Sequence, residues 1–312
     1  MSHFSHLFKV SRAVFITITF IFVITWLSKS LKELGLGVIL KKSSWDTDSY
    51  TPLTVNIDYV EENLLTLDQT DAQLITYTRI RHLTPPSQLP YALDGPLDNP
   101  SHFADNFSIW VSKFFHNKRN GIFIEAGAHK GENPSHSLML ELGLNWTGLL
   151  VECNPTLLPI LKKRHRKAWI ADVCLAPNQH PGINNFFNPT KWSATGKLET
   201  AMNKRSRNDK VMDEVRSIPL YTLIAAIGWK EIDYFALDVE GAEWEILQTI
   251  PFHLLTIKVL TVEEYFQRQR GVVRQMDSFL RRHDMYFHGH IEMDRLYVHK
   301  SIRKLIGNKE IG

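Results

Sequence analysis

Phe123-Ile124-Glu125-Ala126-Gly127-Ala128-His129-Lys130-Gly131 is the stretch on which the architecture turns. A short apolar strand, Ile122-Phe123-Ile124, runs into a carboxylate and then into a turn with glycines at 127 and 131. A turn lacking Cβ atoms can bend tightly and bring backbone close to a ligand, as a nucleoside cofactor requires of the first strand-loop-helix unit of a doubly wound sheet. Alone, the string suits any tight turn. The strands and acids downstream of it give it weight.

The next strand, Gly148 to Val151, ends at Glu152. A carboxylate there offers two acceptor oxygens to the two adjacent hydroxyls of a ribose, or else caps the helix that starts near Pro155. A third strand, Ala168 to Ala171, ends at Asp172, which either reaches an adenine amine or simply begins a loop. A less regular insertion from Asn178 to Arg216, an edge-like strand Val215 to Leu220 and a helix Tyr221 to Ile227 come next.

Ile232-Asp233-Tyr234-Phe235-Ala236-Leu237-Asp238-Val239-Glu240-Gly241-Ala242-Glu243 is an apolar strand that ends in acid, turns at glycine and enters a helix running to Thr249. Open α/β sheets bind ligands at the carboxyl ends of their strands, so Asp238 and Glu240 are expected to line a site. Glu243 suits the helix N-terminus electrostatically. The strand Lys258 to Val262 ends in Glu263-Glu264 and adds acid to the same rim. Clustered carboxylates raise one another's pKa and can supply a general base, or they can share a divalent cation; no metal is assigned from the sequence. Helix Val272 to His283 and a hairpin, Tyr286 to Ile291 with Arg295 to His299, close the domain with an antiparallel edge. The expected fold is therefore α/β and Rossmann-like, a mostly parallel sheet with an antiparallel terminal hairpin. A nicotinamide-dependent oxidoreductase would need a G-x-G-x-x-G turn, which the sequence lacks.

Toward the N-terminus, Ala13 to Leu27 carries no charge and lies between Lys9 and Arg12 before it and Lys29 and Lys32 after it. Residues 13–28 as a helix would cover roughly 24 Å, enough for a thin bilayer if the flanking cations snorkel. A single transmembrane signal-anchor is expected there, with a cleaved signal peptide and a buried helix as the rivals. The expected organisation is a tail over 1–12, the anchor over 13–28, a stalk with accessory helices and a Pro-rich loop over 29–118, the domain over 119–300 and a tail over 301–312. Charge counting does not orient the anchor. The sequons Asn106-Phe107-Ser108 and Asn145-Trp146-Thr147 would become usable with the domain in the lumen, whereas proline excludes the triplets at Asn133, Asn154 and Asn188.

The 312 residues are 44% hydrophobic and 22% charged, with a net charge of +3, the composition of a folded protein without a field that attracts nucleic acid. The basic run Lys162 to Lys167 reads as the polar end of a helix. Cys153 and Cys174 are too few for a disulfide framework or a zinc site; a single bridge between them is geometrically conceivable but is not the expectation.

With these residues in view, the region from about Asn120 to Lys300 resembles the FkbM branch of S-adenosylmethionine-dependent methyltransferases. The glycine turn, the Asp238-Val239-Glu240-Gly241-Ala242-Glu243 segment and the terminal hairpin carry the likeness. His129 and Lys130 depart from the branch, where small or Asn-type residues are commoner. Within it, Trp146-Thr147-Gly148-Leu149-Leu150-Val151-Glu152 and His165-Arg166-Lys167-Ala168-Trp169 are similar in style to Star-like proteins of invertebrates. The resemblance implies a class I methyltransferase sheet with S-adenosylmethionine as cofactor. In that frame Glu125, Gly127, Gly131, Glu152, Asp172, Asp238 and Glu240 would bind the cofactor, and Asp238 or Glu263 would take the acceptor's proton. The Star-like likeness implies a single-pass endomembrane protein of endoplasmic reticulum, Golgi and endosome that handles a transmembrane growth-factor precursor, a ligand of the EGF receptor.

Overall fold

The computed structural model describes residues 55–188, 196–205 and 209–302. They fall into two compact units that meet in sequence between Glu62 and Asn63. The expected anchor over 13–28 lies outside the described residues, as do the stalk through 54 and the tail beyond 302. Among the described residues no helix is long and apolar enough to cross a membrane. The first described helix, α1 (Ile57–Asn63), is followed in the larger unit by α2 (Ala72–Arg81) and α3 (Asn106–Phe114).

One eight-stranded sheet organises the larger unit. Its strands are β1 (Leu83–Thr84), β2 (Ile122–Ala126), β3 (Thr147–Val151) and β4 (Trp169–Ala171), then, beyond the insertion that carries β5 to β8, β9 (Glu231–Leu237), β10 (Thr256–Glu263), β11 (Met285–Ile291) and β12 (Asp294–His299). The order is β1-β4-β3-β2-β9-β10-β12-β11. Strands β4, β3, β2, β9 and β10 are mutually parallel, and the antiparallel pairs lie at the edges. The mostly parallel sheet and its terminal hairpin match the sequence expectation.

Burial on both faces explains the apolar runs of the central strands. Successive residues alternate between two cores: Ile124, Leu149 and Phe235 point into one, while Phe123, Leu150 and Tyr234 point into the other. Leu223 and Ile224 of α6 (Leu220–Ile227) cover the first face; Phe107 and Val111 of α3 cover the second. The connections α4 (Leu138–Leu144), α5 (Leu158–Lys163), α7 (Glu243–Leu247), α8 (Tyr265–Gln269) and α9 (Val273–Arg282) complete the layers.

The insertion departs from expectation. Rather than irregular chain, it forms a second sheet of β5 (Cys174–Leu175), β6 (Gly182–Asn188), β7 (Lys197–Leu198) and β8 (Lys210–Ile218), in the order β5-β8-β6-β7. Strands β6 and β8 pair antiparallel with a register shift at Phe186/Phe187, which breaks the alternation that would have announced them. The basic run is also more than a solvated helix end. Lys162 and Lys163 do end α5, but Arg166 is 1% exposed and paired with buried Glu141 at 2.9 Å.

Candidate active site

Chain order reverses between β2 and β9: β3 pairs with one side of β2 and β9 with the other, and all three run parallel. Ala126 stands beside Val151 and beside Leu237, so the next residues along each strand, Gly127, Glu152 and Asp238, emerge together at the carboxyl end. A crevice opens at such a switch point. Here it is a cleft of about 200 Å³ lined by Glu125, Gly127, His129, Glu152, Asp238 and Glu240, among others, and walled by Phe186 and Leu198 of the second sheet.

Gly127 has φ +88°, and a Cβ on it would sit 1.9 Å from the Asp238 carbonyl oxygen. Its missing side chain therefore lets the β2 turn close on β9. Gly131, with φ +72°, similarly accommodates Leu161 of α5. Glu125 lines the cleft, yet its carboxylate is 2% exposed and accepts from the Ser135 hydroxyl at 2.9 Å, the His136 amide at 3.0 Å and the Ser137 hydroxyl. Its oxygens thus fasten the 135–137 loop beside the cleft. Arg166 grips the same loops, donating to the Gly131 carbonyl at 2.7 Å and to the Ser137 hydroxyl at 3.0 Å. Sequence reading does not assign Arg166, because nothing local reveals that an arginine is buried.

Glu152 is 8% exposed. One carboxylate oxygen accepts from the His129 amide and the other from the Asn154 amide, both at 2.7 Å. The Cys153 amide bonds the carboxylate as well, which leaves one of its four acceptor positions for a further donor. Burial pushes the carboxyl up to about 7, against these N–H bonds, which lower it. His129, whose left-handed φ of 52° aims its amide at Glu152, has a buried Nδ1 without a hydrogen-bond partner. Burial, seconded by the charge of Lys130, holds that imidazole below its ordinary value, so it is neutral at pH 7. His129 and Lys130 are thus accommodated: His129 orients the β3 carboxylate from the cleft lining, and both side chains are partly exposed.

The opposite wall is acidic. Asp238 is raised to about 7, chiefly by burial and then by Glu243 and Glu240. Glu263 is raised further, to about 10, by burial and then by Glu243, Asp238 and Glu240, and its Oε2 is buried with no hydrogen-bond partner. Glu243 is fully buried; it accepts from the Val239 amide at 2.9 Å, the Gly241 amide at 3.0 Å and the Gln267 side chain at 2.6 Å. It pins the 238–243 turn, a stronger tie than the helix-terminus attraction expected of it. Ligand atoms of Asp238, Glu243 and Glu263 lie within 4.8 Å of one another, a spacing that a shared proton or a divalent cation relieves. Glu240 adopts φ 62° and faces Lys197 at 4.0 Å. Glu264 turns away to Arg268, His290 and Arg295.

His136, on the cleft lining, was not singled out from the sequence. Against burial, which would lower it, the Asp105 hydrogen bond and the charges of Glu125, Asp105 and Asp238 raise it to about 9. It is therefore a cation at neutral pH, placed among carboxylates.

Asp172 is not brought to the cleft. Its carboxylate pairs with His82 at 3.0 Å and with Lys162 at 3.0 Å, holding α2 and α5 to the sheet edge. Beyond the end of β4 the cleft is lined instead by Val173, Leu175 and a disulfide between Cys153 and Cys174. The bridge, which the sequence allowed without favouring, forms because the chain leaving β3 passes beside the start of β5.

No curated protein matches the chain. The solved structure of a precorrin-6y C5,15-methyltransferase from Geobacter metallireducens is similar at 13% identity and TM-score 0.31, covering 61% of this chain and 85% of that one. The methyltransferase FkbM domain matches residues 125–291, more than half the chain and the whole of the segment that builds the cleft. The chain belongs to the methyltransferase FkbM domain family.

Proposed function

We propose that the cleft binds S-adenosylmethionine and that the protein transfers its methyl group to a hydroxyl of a glycan, lipid or small metabolite. The observation that carries this reading is Glu152: a carboxylate at the end of β3, fixed by backbone amides on the cleft lining, with acceptor capacity left for a ribose hydroxyl. The remaining residues fit the same ligand. The orphaned His129 Nδ1 offers a polar contact, and the acidic wall of Asp238 and Glu240 suits a cation. When bound, the cofactor supplies an electrophilic methyl group on a sulfonium.

The two candidate bases separate by their protonation. Asp238, with a value near 7, is ionised in a large fraction of molecules at neutral pH and can accept the acceptor hydroxyl's proton. Glu263, held near 10, stays protonated and adds no charge to the wall, which leaves Asp238 as the base of the two. His136 keeps a positive charge beside Asp238 and Glu125 and limits the repulsion in the wall. Titration calorimetry with the full-length chain tests the reading. Binding of S-adenosylmethionine that disappears in Glu152→Ala is expected; no binding at millimolar ligand refutes it.

A second reading is favoured by the disulfide, because such bridges persist in oxidising compartments. In it the 13–28 segment anchors the protein in the endomembrane system, from endoplasmic reticulum to Golgi and endosome. The domain faces the lumen and assists export of a transmembrane growth-factor precursor. Export that survives Glu152→Ala together with Asp238→Asn supports this role over methyl transfer; loss of export on those changes alone opposes it.

A further inference from the structure

We infer that Asn145 and Asn106 carry N-linked oligosaccharides. The inference shares only the lumenal placement with the second reading above and is independent of methyl transfer.

The compartment comes first. Among the described residues both cysteines are joined in a disulfide and none is free, the state of a domain that matures outside the reducing cytosol. The sequence pattern is the second observation. Six Asn-x-Ser/Thr triplets occur, at Asn99, Asn106, Asn133, Asn145, Asn154 and Asn188. Proline occupies the middle position of four, which blocks modification, and those four include Asn154, 2% exposed in the cleft wall. The two open sequons are at Asn145 and Asn106, and both asparagines are exposed.

Local geometry supplies the third. Asn145 ends α4 in the left-handed conformation, φ 55° and ψ 37°, so its side chain stands off a tight turn. Its Nδ2 donates one hydrogen bond, to Asn120 Oδ1 at 2.6 Å. Asn106 opens α3, and its Nδ2 donates to Glu292 at 2.8 Å. A primary amide nitrogen carries two hydrogens, so each can lose one and keep its native hydrogen bond with the other. In the transfer, the bond between the sugar's anomeric carbon and a lipid-linked pyrophosphate breaks. The amide nitrogen takes that carbon, and the displaced proton leaves with the lipid pyrophosphate. Trp146, Ser108 and Phe107 are buried in the folded domain, so modification has to precede folding, as it does on a chain entering the lumen.

Asn145 precedes β3 and therefore lies at the amino ends of the parallel strands, opposite the cleft. A glycan there leaves the cleft open. Asn106 follows Asp105, the partner of cleft residue His136, and places its glycan near the rim.

The full-length chain, expressed in cultured insect cells, is treated with peptide-N-glycosidase F, which releases the glycan and converts each occupied asparagine to aspartate. Two downward mobility steps are expected, with aspartate at 145 and 106 by peptide mass spectrometry. Asn145→Gln and Asn106→Gln should each remove one step. Thiol labelling without reductant should leave Cys153 and Cys174 unlabelled. The mass spectrum of the unmodified sequence decides the matter even if a variant fails to fold. Asparagine at both positions after treatment overturns the inference, and asparagine at one overturns that site. Cofactor binding, read separately on the enzyme-treated protein, would be unaffected by either failure.

Discussion

Glu152→Gln separates the charge of the β3 carboxyl from its shape. In the folded protein burial raises this group from 4.5 to about 7. The folded state then binds the proton more tightly than the unfolded chain does. Linkage gives the sign: the group's unfavourable contribution is absent below the unfolded value, grows as pH rises from about 4.5, and is complete above about 7. Since each pKa unit corresponds to about 1.4 kcal/mol, the full penalty approaches ~3 kcal/mol by pH 8 and is under ~1 kcal/mol at pH 5. Glutamine has no charge at either pH. Its amide also turns one donor toward the His129 or Asn154 N–H, a loss of ~1–3 kcal/mol that does not vary with pH. The variant's stability relative to wild type should therefore rise by ~2–3 kcal/mol between pH 5 and pH 8, whatever its absolute value. Urea unfolding of both proteins at the two pH values, followed by tryptophan fluorescence, measures that change. A stability difference that stays constant with pH would show that the carboxyl is not held high and would refute this reasoning.

Other consequences are open to direct measurement. Gly127→Ala places a Cβ against the Asp238 carbonyl at positive φ, so it should cost at least ~1–3 kcal/mol in thermal unfolding and displace Asp238 enough to weaken cofactor binding. Arg166→Met leaves Glu141 buried without its partner and should destabilise by ~3–5 kcal/mol, whereas adding Glu141→Gln should recover part of the loss. Replacing both cysteines by serine opens a loop of 21-residue separation, worth ~3 kcal/mol by chain entropy, detectable as a lower urea midpoint. If Asp238 is the base, the methyl-transfer rate should rise with pH through about 7, as the carboxyl loses its proton, and Asp238→Asn should abolish that rise.

The sheet was legible because its central strands are mostly apolar and each runs into an acid at or just past its carboxyl end. Ile122 to Ala126, Thr147 to Val151 and Glu231 to Leu237 each announce a buried parallel strand without help from the rest of the chain. The same punctuation brought Glu152, Asp238 and Glu240 to one cleft. It misled at Asp172, where the strand ends as expected but the carboxylate follows its cations, His82 and Lys162, to the sheet edge. Position along a strand predicts where a backbone ends; the direction of the side chain depends on partners ninety and ten residues away. Arg166, His136 and the second sheet were hidden for related reasons. Their partners are distant in sequence, and the bulge at Met212 of β8 interrupts the local periodicity.

The pairing of β2 with β9 joins Phe123 to Tyr234, residues more than a hundred positions apart. Synthesis from the N-terminus therefore delivers the glycine turn and Glu152 long before the chain that forms the acidic wall. Until β9 emerges and docks, there is half a crevice and nothing for a cofactor to settle into. A ligand for this cleft would then recognise only finished chains. Occupancy would report completed folding, and a truncation anywhere before Leu237 would abolish binding as thoroughly as loss of Glu152 itself.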